Sequence, residues 1–282
     1  MSKSIYDILN KKINYKQEYQ KIKDMFLNSH LISGPNNYAY TYGYVFNSWI
    51  TKWKYRGTKL NLKEVMEEIE RETDCGKDHI KDCLYLCELI LNIREFLVFL
   101  KEKYYTNYGP GQFFIKLDDD MLMGNIAFIL NELHYKAYIE DDYKVLLVKD
   151  DVDTINTATI VNDNIADLIM EYNDFKIAEN IGEKKKILIE LSNYLEPKRQ
   201  ELKSKNSKLE SNLFMAFNKL NIRHNNLEGK EKEEYTTKLN DNELLKWYDK
   251  TYNLILIAIR LLELNNILEP FEKLRKEFFG SK

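Results

Sequence analysis

The chain has 282 residues, enough to bury a sizeable core, and at about 100 to 200 residues per domain it divides into two. Charged residues make up 31% and hydrophobic residues 44%, which excludes a disordered chain, while ten glycines and four prolines exclude a loop-rich β architecture. With 42 basic against 45 acidic residues the formal charge is −3, so no global field draws the chain to nucleic acid and any such contact has to be local.

The opening MSKSIYDILNKKINYKQEYQ lacks the uninterrupted apolar core of a secretory signal, and the greasiest run, LILIAIRLL, is too short to span a bilayer. The chain therefore reads as cytoplasmic, with no membrane partner. Helical spacing runs through 5–27, 38–55 and 62–73, with loops signalled at SGPNN (33–37) and YRGTK (55–59). The tyrosine-rich YAYTYGYVFNSWITKW is expected to form a packed amphipathic helix. A long helix follows from Lys77 to Tyr105, burying Ile80, Cys83, Leu84, Cys87 and Leu91, and ends before NYGPG at 107–111. DDDMLMGNIAFILNELHY reads as another helix. YKAYIE and YKVLLVK then flank Asp141 and Asp142 as a small β-hairpin with a two-residue turn, expected to pack on that helix.

The polar, aperiodic KDDVDTINTATIVNDN at 149–164 marks the domain boundary. It leaves a mostly helical N-terminal domain at 1–155, with a sensing or regulatory role expected, and a helical bundle at 160–282. In the second half Ile165, Leu168, Ile169, Tyr172 and Phe175 form one apolar stripe. Ile187, Leu188, Leu191 and Leu195 form a second, and Leu209, Leu213, Phe217 and Leu220 a third. The last segment supplies their common partner. Asn240 can cap it with Glu243 closing a capping box, after which Leu245, Tyr248, Tyr252, Ile255, Ile259 and Leu262 recur at helical spacing. Trp247, Leu254, Ala258 and Leu261 make the opposite face apolar too, as suits the centre of a bundle or a dimer seam. Pro270 is expected to bend or end this helix before the amphipathic tail FEKLRKEFF. The fold class is mainly α: a helical N-terminal domain with a small β-hairpin, then a four- or five-helix bundle.

Arg223-His224-Asn225-Asn226 ends the third bundle helix. An arginine fork beside an imidazole suits RNA cleavage without a metal: one group takes the ribose 2′-hydroxyl proton while the guanidinium holds the phosphate as its charge grows. The plainer alternative is that His224 and Asn225 cap the helix C-terminus, where cations are favoured and Asn tolerates left-handed geometry. Upstream, eight Lys or Arg and three Glu lie between Lys184 and Lys208, a net charge of +5. Lys198, Arg199 and Lys203 from that stretch, with Asn225, are the candidate RNA contacts, although such a stripe is commonly just a solvated face.

Cys75, His79, Cys83 and Cys87 recur at every fourth position, but ligands strung along a helix advance about 5.4 Å per turn and do not converge on one ion. Core packing of free thiols is expected instead. Asp118, Asp119 and Asp120 fit N-terminal capping of the following helix. No metal and no cofactor are expected. Residues 62–87 have the outline of a helix-turn-helix, but the acidic first helix argues against DNA as a partner. There is no glycine-rich phosphate loop, dinucleotide fingerprint or GxSxG elbow in the sequence.

The segments VNDNIADLIMEYNDFKIAENIGEKKKILIELSNYLEPKR, LFMAFNKLNIRHNN and ELLKWYDKTYNLILIAI, over roughly 160–265, resemble the helical C-terminal domain of bacterial abortive-infection proteins of the AbiJ type. That domain is similar to the HEPN superfamily. The resemblance implies a metal-independent endoribonuclease acting in anti-phage defence, a homodimer whose active site forms across a two-fold axis, and a phage-encoded trigger. The HEPN signature is an arginine, usually followed by a polar residue, with a histidine four to six positions after the arginine. Arg223 and His224 match its start, while Leu227, Glu228 and Gly229 occupy the stretch where the later histidine is expected. Two alternatives follow. Either His224 acts as the base with Asn226 orienting the phosphate, or the chain is a non-catalytic HEPN relative serving as a dimerisation and interaction module.

Overall fold

The computed structural model describes residues 13–34, 38–73, 76–108, 115–140 and 143–280. Within it the chain is mainly helical, and it forms two compact units, Met1–Leu147 and Val148–Lys282. Cys75, the Asp141-Asp142 turn and the first twelve residues lie outside the described residues.

In the first unit, helix α1 (Tyr15–Asn28) is capped by the Asn14 side chain and buries Ile22 and Phe26 against the long α4 (His79–Tyr108). Between them lie the two-residue strands β1 (Ile32–Ser33) and β2 (Ala39–Tyr40), then α2 (Tyr42–Trp49) and α3 (Leu62–Glu72). A third short strand, β3 (Lys116–Leu117), completes a sheet of order β2-β1-β3. The tyrosine-rich segment is thus divided: Ala39 and Tyr40 pair with β1, and only from Tyr42 does the chain turn helical, because the Thr41 side chain accepts from the Tyr44 N–H and caps that start.

The face that α4 buries is made by Cys83, Leu84, Cys87, Ile90, Ile93, Phe96 and Leu97; Ile80 stands exposed and Leu91 half-buried. Gly76, at φ +101°, makes the turn into this helix, a conformation that costs a side-chain-bearing residue energy. Asp119 does not cap α5 (Asp120–Glu132) with its side chain. Instead it is buried and accepts from the Tyr42 hydroxyl and from Arg94 Nε at 2.9 Å, a pairing that compensates the carboxylate for its lost water. Strands β4 (Tyr135–Ile139) and β5 (Val145–Lys149) form the expected two-stranded sheet. β4 contacts α5, while β5 is anchored on α4: buried Asn92 accepts from the Val145 N–H and donates to its carbonyl, both at 2.9 Å, like one more strand residue.

In the second unit the stretch read as an aperiodic boundary contains a helix, α6 (Val152–Ala158), started by the Asp151 side chain. Its buried residues are Thr154 and Thr157, so no apolar period announces it. Helices α7 (Asp163–Glu171), α8 (Ile181–Leu195), α9 (Arg199–Lys205) and α10 (Ser207–Lys219) follow, and after the short α11 (Glu234–Thr237) comes α12 (Asp241–Leu262). Helix α12 packs on α6, α8, α9 and α10. The three sequence stripes, without Phe175, and Tyr248, Tyr252, Ile255, Ile259 and Leu262 make one core, with Leu168 and Leu209 partly buried at its edge. Phe175 lies in a separate 3-10 turn, Phe175–Ile177. Tyr172 stacks on Tyr252 with ring centroids 4.1 Å apart. The Asn240–Glu243 capping box is formed in both directions at 3.0 Å.

Helix α12 ends at Glu263 rather than at Pro270, which lies inside the next helix, α13 (Leu264–Phe279). The end is met from another helix: Lys205 Nζ of α9 donates to the Leu261 and Leu262 carbonyls (3.2 and 3.1 Å), satisfying acceptors that a helix end leaves open. Among the described residues no helix is long and apolar enough to cross a membrane.

Candidate functional site

Helix α10 delivers its C-terminus to a tight loop braced on α8. Leu220 closes the helix, and Asn221 takes the left-handed conformation at φ +57°, which asparagine tolerates better than most residues. The left-handed role therefore falls to Asn221, not to Asn225. The turned chain lets the Arg223 N–H donate to the Phe217 carbonyl at 3.0 Å.

Asn226 holds this loop from inside. It is 1% exposed; its Oδ1 accepts from the Asn221 N–H (2.8 Å) and its Nδ2 donates to the Glu231 carbonyl (2.8 Å). Asn221 Oδ1 returns the contact by accepting from the Asn226 N–H at 3.3 Å. Both amide functions of Asn226 are thus committed to backbone groups, and the side chain faces the protein. His224 and Asn225 face solvent, and Asn225 Oδ1 accepts from the Leu227 N–H at 3.3 Å.

Arg223 is only 18% exposed and is held on two edges. Nε donates to Ser192 Oγ at 2.9 Å and Nη2 to the Ser192 carbonyl at 2.8 Å, while Nη1 reaches the half-exposed Glu196 carboxylate. The guanidinium also lies 5.2 Å from the Phe217 ring centroid and 5.5 Å from that of Phe214, distances at which the ring faces favour a cation. Glu196 therefore sits on the one guanidinium edge directed outward.

Three residues here, Glu196 among them, are not marked as part of this site in the sequence. Ser192, fully buried, orients Arg223. Lys185 donates to Asn221 Oδ1 at 3.2 Å, bringing a second cation to the loop, and burial pushes its ammonium pKa down. Lys185, Ser192 and Glu196 stand seven and then four residues apart, the spacing of one helix face, and that is the signal that could have found them.

Of the other basic candidates, Arg199 alone is drawn into the same charge chain. Arg199 lies over Phe214 at 4.3 Å, donates to buried Glu210 at 2.6 Å and approaches Glu196 at 3.9 Å. Lys198 covers the Tyr194 ring at 3.9 Å and pairs with Glu263 at 3.8 Å. Lys184, at the head of the stretch, is buried against Asp249 at 2.7 Å. Lys203 is exposed. Much of the +5 charge read from sequence is thus answered by neighbouring carboxylates. The structure brings Arg223 into one network with Arg199 through Glu196, and sets Lys198 and Lys203 apart from it.

Among the described residues no group of His, Cys, Asp or Glu is arranged to hold a metal ion. An oxyanion in place of the Glu196 carboxylate would meet an arginine edge already oriented from behind, next in sequence to a solvent-facing imidazole. No protein-family model, curated protein or solved structure matches this chain.

Proposed function

We propose that the chain is an abortive-infection effector of anti-phage defence whose second unit cleaves RNA without a metal, acting in the cytoplasm as a homodimer after a phage-encoded trigger. The observation that carries this reading is the Arg223 guanidinium, fixed by Ser192 through Nε and Nη2 so that Nη1 points at a surface carboxylate. In the reaction an RNA phosphate displaces Glu196 from Nη1. His224 takes the 2′-hydroxyl proton, the 2′-oxygen attacks phosphorus, and the 5′-oxygen leaves with a proton from solvent, giving a cyclic phosphate and a 5′-hydroxyl while His224 returns its proton to water. Arg223 stabilises the charge that grows on the phosphorane. Asn226 acts by positioning the loop, with Asn225, Lys198, Arg199 and Lys203 as the RNA contacts.

A second reading, a HEPN-like interaction module without catalysis, is favoured by one observation: the polar groups of Arg223 and Asn226 are already used within the protein. Cleavage of RNA in EDTA by wild type, Arg223→Ala and His224→Ala, each checked for folding by thermal melting, separates the two. Cutting by wild type alone supports the nuclease; no cutting by any folded variant supports the module.

A further inference from the structure

In the first unit a cleft of about 400 Å³ opens between α4, α5 and β4. Small-molecule sites have volumes of about 300–1,000 Å³. The walls are apolar, with Leu91 from α4 and Met123, Ile126 and Leu130 from α5. The small side chains of Ala127 on α5 and Ala137 on β4 leave the space between these elements open.

Arg94 lines the same space and is already oriented. Its Nε donates to buried Asp119 at 2.9 Å and its Nη1 to Glu95 at 3.1 Å, while among the described residues Nη2 has no partner. A guanidinium fixed along two edges holds its remaining donors in place, and a donor beside apolar walls favours a ligand that brings an acceptor. The charges set the class of that ligand. Arg94 and Lys136 at the rim are balanced by Asp119 and Glu95. A carboxylate or an ammonium would add an unbalanced charge and lose water to do so, whereas a carbonyl oxygen accepts from Nη2 without either cost. An amide also carries an N–H, for which the exposed Asn131 side chain at the rim supplies an acceptor.

We propose that this cleft binds an uncharged small molecule with an apolar body and an amide head, the body lying against Leu91, Ile126 and Leu130 and the amide oxygen accepting from Arg94 Nη2. The site goes beyond the nuclease reading, which gives the first unit no reaction. Its test reads binding rather than cleavage, so either can fail alone.

The experiment titrates the full chain with N-phenyl-1-naphthylamine, an uncharged dye that brightens in apolar surroundings, and then displaces it with decanamide, decanoate or decylamine. The dye is expected to brighten, and decanamide to displace it at concentrations at least about tenfold below those of the two charged analogues, the usual effect of one hydrogen bond to a charged donor. Ala127→Phe fills the cleft from an exposed helix position; it is expected to raise the Kd of dye and amide at least about tenfold, with circular dichroism and Tm unchanged. Arg94→Lys keeps a cation beside Asp119 but loses the planar fork, and is expected to erase the preference for the amide while the dye still binds. Dye binding that Ala127→Phe leaves unchanged lies elsewhere, on exposed apolar side chains such as those of α13, and overturns the proposal. So does an absence of brightening, equal displacement by decanoate or decylamine, or a preference for the amide that persists in folded Arg94→Lys.

Discussion

Replacing Asn226 by alanine tests whether the loop is held from within. The change deletes one acceptor and one donor, leaving the Asn221 N–H and the Glu231 carbonyl without the partners they have at 2.8 Å. Each such buried polar group left unpaired costs about 1–3 kcal/mol. Water reaching the exposed neighbours at 224 and 225 recovers part of this, so the expected loss is about 2–4 kcal/mol. Urea unfolding supplies the midpoint, and hydrogen exchange of α10 and α12 amides reports the second unit alone. His224→Ala is the control: the side chain is exposed, and its removal is expected to change stability by less than about 0.5 kcal/mol. If Asn226→Ala unfolds within that same margin while activity disappears, the positioning argument is wrong and Asn226 meets substrate directly.

Glu196→Gln uncovers the outward edge of Arg223; RNA binding measured by fluorescence anisotropy is expected to tighten several-fold, with stability changed by less than about 1 kcal/mol because the carboxylate is half-exposed. Unchanged or weaker binding would show that Nη1 takes no phosphate. Asn92→Ala removes both anchors of Val145, and exchange of the β5 amides is expected to speed up by at least about tenfold; unchanged rates would mean that the hairpin is held elsewhere. Burial, helped by the Asp82 carboxylate, pushes the Cys83 thiol pKa from 9.0 up to about 12. Below pH 9 folded and unfolded chains both keep this proton. From there to about 12 only the folded chain keeps it, so stability falls by about 1.4 kcal/mol per pH unit as pH rises. Cys83→Ala should flatten the alkaline slope of urea stability by that amount, and identical slopes would refute the assignment.

What was legible in the sequence was whatever repeats along one helix. The three stripes of the bundle and the Asn240–Glu243 capping box needed only i, i+3 and i+4 spacing, and the structure contains them except that Phe175 falls in a separate 3-10 turn and Leu244 rather than Leu245 enters the core. The short strands at Ile32, Ala39 and Lys116 are two residues long, too short to display alternation, and α6 buries threonines rather than an apolar stripe. Pro270 signalled a break that the Lys205 cap places at Glu263 instead, because a side chain from a helix distant in sequence satisfies those carbonyls. The same distinction runs through the site. Arg223 and His224 stand out as a motif, whereas Ser192, Glu196 and Lys185 reach the loop from 27 to 36 residues away. A loop asparagine such as Asn226 carries no local mark of burial; only the fold gives it two backbone partners.

The central claim is that Arg223 and His224 form the working edge of a metal-free ribonuclease. Its most direct test is single-turnover cleavage of RNA in EDTA by folded wild type, Arg223→Ala and His224→Ala, with analysis of the product ends. The account predicts 2′,3′-cyclic phosphate ends from wild type and loss of cleavage in both variants. Equal cleavage by all three, or cleavage that EDTA abolishes, contradicts it.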